Sequence, residues 1–150
     1  MAGVSIRDFS IRIHQLMPEI SRGFARLQSN EVYKGKITLP QLLVMELINK
    51  EGPVKMTVLA CSMKVTTAAM TGIIQRLVRQ RYAQRNYDKS DRRTIRIALT
   101  FKGVELLKRI NEQRTQVVSS VFRQLSEYDR ADYLRVMGKV KEILEKEENR

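Results

Sequence analysis

Residues 56–100 constrain this chain more than any other stretch, because two short helical patterns are followed there by two strand-like runs around a cationic turn. From Thr57 to Met63, Val58, Leu59 and Met63 fall at helical spacing, with small Ala60 where a neighbouring helix could approach closely. A second helix is expected from Thr66, whose hydroxyl can accept from the first free backbone N–H groups. Its apolar stripe is Met70, Ile73, Ile74 and Leu77, at intervals of three and four. The opposite face carries Thr67, Ala68, Thr71, Gln75, Arg76 and Arg79. Short polar side chains followed by cations suit a nucleic-acid groove, with Thr66, Thr67, Thr71 and Gln75 near bases and Arg76 and Arg79 at phosphates.

The next segment reads as a hairpin. Tyr82 to Tyr87 and Thr94 to Leu99 flank the turn Asp88-Lys89-Ser90-Asp91-Arg92-Arg93, and Ile95, Ile97 and Leu99 alternate with Thr94, Arg96 and Ala98 as a half-buried strand requires. Between Gln75 and Arg96 eight Arg or Lys residues stand against two Asp, a net +6 that is half of the chain's +12. The positive charge is therefore concentrated on this segment.

Taken together, these residues resemble the MarR family of bacterial winged helix-turn-helix regulators. Asp91-Arg92-Arg93, followed by Ile97-Ala98-Leu99-Thr100 and Lys102-Gly103, are similar to the family's wing motif D-x-R, its L-T strand end and its following K-G. Thr66 to Leu77, and Arg85 after the second helix, match in kind and spacing, and the order and lengths of the flanking helices extend the likeness over nearly the whole chain. The resemblance implies a mainly α fold with a small β-hairpin wing (α+β), a winged helix-turn-helix with N- and C-terminal dimerisation helices. It implies one domain over residues 1–150, with a DNA-binding lobe at 38–100 and dimerisation helices in 1–37 and 101–150.

By the same resemblance, Arg93 enters the minor groove of double-stranded DNA, Asp91 orients it, and Arg92 and Lys89 meet the backbone. A narrow groove concentrates negative potential and attracts an inserted guanidinium, which agrees with that placement. The expected protein is a homodimeric regulator, acting as a repressor on a pseudo-palindromic operator. Relatives are often released by small aromatic or phenolic effectors. Two positions depart from the family pattern: Lys64 stands where most members have a glycine before the recognition helix, and Arg81 where many have one just after it. If either position needs positive φ, its β-carbon costs roughly 1–2 kcal/mol.

The rest of the chain supplies long helices. Ile6, Phe9, Ile13, Leu16, Met17, Ile20, Phe24 and Leu27 form one stripe on a helix, in which Pro18 predicts a kink or break near Leu16. Gln28 to Ile37 reads as a loop. Thr38 and Gln41 then resemble a capping box, Pro40 is tolerable in the first turn, and Leu42, Leu43, Met45, Leu47 and Ile48 supply a buried face that ends at Glu51-Gly52-Pro53. Val54 to Met56 has the length of a short strand that could pair with the hairpin.

Beyond the hairpin, Lys102 to Leu125 predicts a helix of roughly 36 Å, with Val104, Leu107, Ile110, Val117, Val121 and Leu125 as its stripe. Ser126 and Asp129 cap a last helix carrying Tyr133, Val136, Met137, Val140, Ile143 and Leu144. These narrow stripes exceed what the compact middle of one chain can cover. A second copy across a two-fold axis covers them, and it also sets two recognition helices at half-sites roughly 34–36 Å apart.

Other readings carry less. A pI near 10.2, from 28 basic against 16 acidic residues, equally suits a basic structural or RNA-binding protein, but such a protein needs neither this hairpin nor a symmetric partner. Nothing has the length of a membrane span or a signal-peptide core, which points to a cytoplasmic protein. The lone Cys61 excludes an intrachain disulfide and reads as a small core side chain. His14 has no second histidine or cysteine nearby to make a metal site. No nucleophile pattern or glycine-rich phosphate loop is present, so neither an enzyme nor a cofactor is expected.

Overall fold

The computed structural model describes residues 4–27, 36–87 and 94–148. It separates two units, Ala25–Arg114 and Met1–Phe24 with Thr115–Arg150. In the first, helix α2 (Leu39–Glu51) begins with the reciprocal cap expected from the sequence. The Gln41 N–H donates to Thr38 Oγ1 at 3.4 Å, and the Thr38 N–H donates to Gln41 Oε1 at 2.8 Å. Gly52, at φ 80, closes this helix. Strand β1 (Val54–Lys55), helix α3 (Met56–Ser62), helix α4 (Thr67–Arg79) and strands β2 (Ala83–Tyr87) and β3 (Ile95–Leu99) follow. Helix α5 (Phe101–Phe122) contributes its residues up to Arg114. The three strands form an antiparallel sheet in the order β1-β3-β2, with Val54 opposite Ile97 and Ala83 opposite Leu99.

The core of this unit takes Leu42, Met45 and Ile48 from α2, Leu59 from α3, Met70, Ile74 and Leu77 from α4, Ile97 from β3, and Leu106 and Ile110 from α5. Four expected core positions lie outside it: Leu43 is 41% exposed, Val58 47%, Ile95 41% and Val104 41%. In α2 the buried set is Gln41, Val44, Met45 and Ile48, with Leu42 beside it. In α5 it is Gly103, Leu106, Leu107 and Ile110. Both sets follow the i, i+3, i+4, i+7 pattern of one helix face. An unbroken apolar run hides that phase in α2, and in α5 a glycine rather than an apolar residue sets it. Cys61, expected inside, is exposed. The adjacent Leu59 and Ala60 take the buried positions of this short helix.

Helices α3 and α4 meet across a four-residue break at 110°, a helix-turn-helix angle. Both end in the same way. The Lys64 N–H donates to the Cys61 carbonyl and that of Val65 to the Ala60 carbonyl, each at 3.0 Å. After α4, Arg81 donates to Val78 and Tyr82 to Leu77, each at 2.9 Å. These paired bonds are Schellman motifs, whose pivot residue adopts the left-handed conformation. The pivots are Lys64 at φ 52 and Arg81 at φ 61, so the two departures from glycine fall where positive φ is required. A residue with a β-carbon is strained there by roughly 1–2 kcal/mol.

The start of α5 is clamped against the end of α4. Thr100 Oγ1 donates to the Arg81 carbonyl at 2.6 Å and accepts from the Gly103 N–H at 3.1 Å, while the Thr100 N–H donates to the Tyr82 carbonyl at 3.0 Å. A β-carbon on Gly103 would lie 2.1 Å from the Tyr82 carbonyl oxygen, so only glycine fits. Lys102 Nζ donates to the Gln80 carbonyl at 3.1 Å and sits 4.7 Å from the centre of the Tyr82 ring.

In the other unit, where a kink or break was expected near Leu16, helix α1 (Ile6–Leu27) runs through Pro18 without a break. The proline removes a single donor, and the turns on either side keep theirs. Helix α6 (Glu127–Glu148) is capped by Ser126, whose Oγ accepts the Asp129 N–H at 3.1 Å. Phe122, at the end of α5, stacks 6.3 Å from Phe24 and lies 5.2 Å from Tyr133. No residue of α1 is buried. Phe9, Leu16, Met17 and Ile20, with Val136, Met137, Val140, Ile143 and Leu144 of α6, are all at least 43% exposed.

Candidate nucleic-acid interface

Helix α4 places its two kinds of side chain on opposite sides. Met70, Ile74 and Leu77 are buried, whereas Thr67, Ala68, Thr71, Gln75, Arg76 and Arg79 are exposed. Steps of three and four residues keep these six on one broad side of the helix. At its start Thr66 is extended, at φ −69 and ψ 154, and its Oγ1 accepts the Ala69 N–H at 3.2 Å. That bond uses the oxygen as an acceptor and leaves the O–H to donate elsewhere. The Thr71 hydroxyl does the reverse. It donates to the Thr67 carbonyl at 2.8 Å, so toward a base edge it offers lone pairs and a methyl group. Gln75, one helical turn further on, can present both a donor and an acceptor.

The far end of α4 is anchored in the unit. The Gln80 side chain donates to the Lys36 carbonyl at 2.9 Å and accepts from Gln41 Nε2 at 3.4 Å. Gln41 is only 4% exposed and belongs to the α2 cap, so the end of α4 is tied to the start of α2. The exposed side chains are thus carried by a helix held on its buried face, at its cap and at its end.

On the hairpin, Arg85 is exposed on β2 opposite Ile97, and Tyr87 is 69% exposed where the strand ends. Arg96 is half-buried, and its Nη1 donates to the Pro53 carbonyl at 3.3 Å, beside β1. Lys89, Asp91, Arg92 and Arg93, expected at the wing tip, lie outside the described residues. Lys64 and Arg81, the two residues at glycine positions, are exposed cations beside α4. Among the described residues, no group of three or more His, Cys, Asp or Glu side chains could hold a metal ion. No single described helix is long and apolar enough to cross a membrane.

Comparison with known proteins agrees with this geometry. The model of the MarR family matches residues 37–95, from the residue before Thr38 to the first residue of β3. The uncharacterized HTH-type transcriptional regulator YpoP of Bacillus subtilis (strain 168) is 25% identical over 115 residues, 77% of this chain and 82% of the relative. Among solved structures, a MarR family protein from Bacillus stearothermophilus has a TM-score of 0.81 at 18% identity, covering 94% of this chain and 99% of its own. A point mutant of MepR from S. aureus, bound to an oligodeoxyribonucleotide, has a TM-score of 0.65 at 17% identity and covers 91% of this chain and 97% of its own.

Proposed function

We infer that this chain, whose residues 37–95 match the model of the MarR family, is a DNA-binding transcriptional regulator that works as a homodimeric repressor on a pseudo-palindromic operator. The observation that carries the reading is α4 itself: an exposed row of Thr67, Thr71, Gln75, Arg76 and Arg79 on a helix set at 110° to α3 and followed directly by a cationic hairpin. Thr66, Thr67, Ala68, Thr71 and Gln75 read base edges in the major groove, and Arg76 and Arg79 contact phosphates. At the wing, Arg93 occupies the minor groove with Asp91 orienting it, and Lys89 and Arg92 meet the backbone. Residues 38–100 form the DNA-binding lobe. Residues 1–37 and 101–150 supply the dimerisation helices, whose exposed apolar side chains on α1 and α6 a second copy covers. The regulator acts in the cytoplasm.

Release from DNA is assigned to a small aromatic or phenolic effector. Such a molecule acts only through differential affinity for the bound and released states, here states that differ in the separation of the two recognition helices. The experiment is selection of bound fragments from genomic DNA, followed by gel shifts of the selected duplex with and without competing RNA. Binding should be duplex-specific and weaken steeply with salt, as released counterions require. Gln75→Ala should lower affinity by about 1–3 kcal/mol and relax specificity at the positions it reads. Arg93→Ala should weaken binding while leaving folding and dimerisation intact. Equal competition by RNA would instead favour a general polyanion binder.

A further inference from the structure

We propose that Gln80 and Gln41 are positioning residues for base recognition: their paired amides set the orientation of α4, and so the discrimination between DNA sequences, while adding little to the stability of the fold. The assignment rests on the DNA-binding reading above. Gln41 is the one buried polar side chain among the described residues, and its amide joins a relay from the start of α2 to the end of α4. Gln41 Oε1 accepts the Thr38 N–H at 2.8 Å, Gln41 Nε2 donates to Gln80 Oε1 at 3.4 Å, and Gln80 Nε2 donates to the Lys36 carbonyl at 2.9 Å. Helix α5 meets the same point, because Lys102 Nζ donates to the Gln80 carbonyl at 3.1 Å. The C-cap of α4 is thus held by α2, by the residues that lead into α2, and by α5.

Met70, Ile74 and Leu77 keep α4 on the core, but apolar burial is non-directional, whereas a hydrogen bond weakens steeply as its geometry departs from the ideal. Orientation is therefore the part of the work that the amides can do. Thr67 lies about 20 Å along the helix from Gln80, so a tilt of about 5° about that end moves it by roughly 2 Å. Such a shift takes a short threonine hydroxyl out of hydrogen-bond range of a base edge. Arg76 and Arg79 lie within about one turn of Gln80, move little, and have long side chains that still reach phosphates. Loss of the amide pair should accordingly cost base discrimination and spare phosphate contact. A satisfied buried amide pair can specify one arrangement while its net stabilisation stays small, since replacing both partners by apolar groups of the same shape is nearly neutral.

The test uses the full chain, a duplex selected from genomic DNA and a mixed-sequence duplex, with affinity for each measured between about 50 and 200 mM salt and thermal melting in parallel. Gln80→Met keeps the side-chain length and removes both amide bonds. It should lower the ratio of selected to mixed-sequence affinity by about tenfold, the loss of one base contact, with mixed-sequence affinity and its salt dependence unchanged. The paired variant Gln41→Met with Gln80→Met leaves neither amide buried without its partner and keeps the Gln41 N–H bond to Thr38 Oγ1. It should melt near the parental temperature and show the same lowered ratio. A purely structural role would instead lower both affinities together and leave the ratio intact. A parent that does not prefer the selected duplex would sink the DNA-binding reading and this assignment together. A parent that prefers it, with a paired variant that keeps the parental ratio or fails to fold, would overturn this assignment alone.

Discussion

Gly103 shows how a single position can be dictated by a residue far away in the sequence. Its missing β-carbon is what lets the start of α5 rest on the backbone of Tyr82, at a place where that carbon would lie 2.1 Å from a carbonyl oxygen. Backbone cannot move aside as a flexible side chain can. Gly103→Ala should therefore lose about 1–3 kcal/mol in urea unfolding, the range for overpacking a close contact. A loss of a few tenths would mean that the helix shifts freely. The Lys102-Gly103 pair was legible in the sequence as a motif, but its reason was not, because that reason is a contact with Tyr82. Threonines 38 and 66 are the opposite case. Their caps depend on residues three positions away, so the sequence alone located the starts of α2 and α4.

At the level of elements, burial and polar ties divide the work of holding α4 and its neighbours. Arg114 of α5 and Glu46 of α2 form an ion pair at 2.6 Å, with both side chains about one-third exposed at 33%. Solvent screens such a pair, and ordering two long side chains offsets part of the attraction. A double-mutant cycle of Glu46→Ala and Arg114→Ala should therefore return a coupling of about 0.2–1 kcal/mol that shrinks with added salt. A coupling of several kcal/mol would instead mark the pair as a principal tie between the two helices. Periodicity located the ends of α1, whose stripe is narrow and unambiguous, while the cap at Thr66 rather than the stripe located the start of α4. It misplaced Leu43 and Val104, where apolar residues outnumber the positions one helix face can bury. It could not anticipate that Gln41 would be buried, since its amide N–H is satisfied by donating to Gln80 Oε1, across the fold.

For the whole molecule, the exposed apolar side chains of α1 and α6 decide what the protein is in solution. Met137, Val140, Ile143 and Leu144 lie at intervals of three, three and one along α6, and each is between 43% and 61% exposed. A contiguous exposed apolar row of this kind marks an interaction surface. If a second copy covers it, assembly stabilises the folded chain by mass action, and the melting temperature rises with protein concentration. Val140→Lys places a charge in the middle of the row, in the unit that carries none of the residues assigned to DNA. With the proposed dimer, sedimentation should show the parent dimeric and this variant monomeric, with a melting temperature no longer dependent on concentration. Its affinity for a two-half-site duplex should fall toward that for a single half-site, because two linked reading helices bind as one multivalent unit and separated ones do not. A Val140→Lys protein that remained dimeric and kept parental affinity for the full site would remove α6 from the interface.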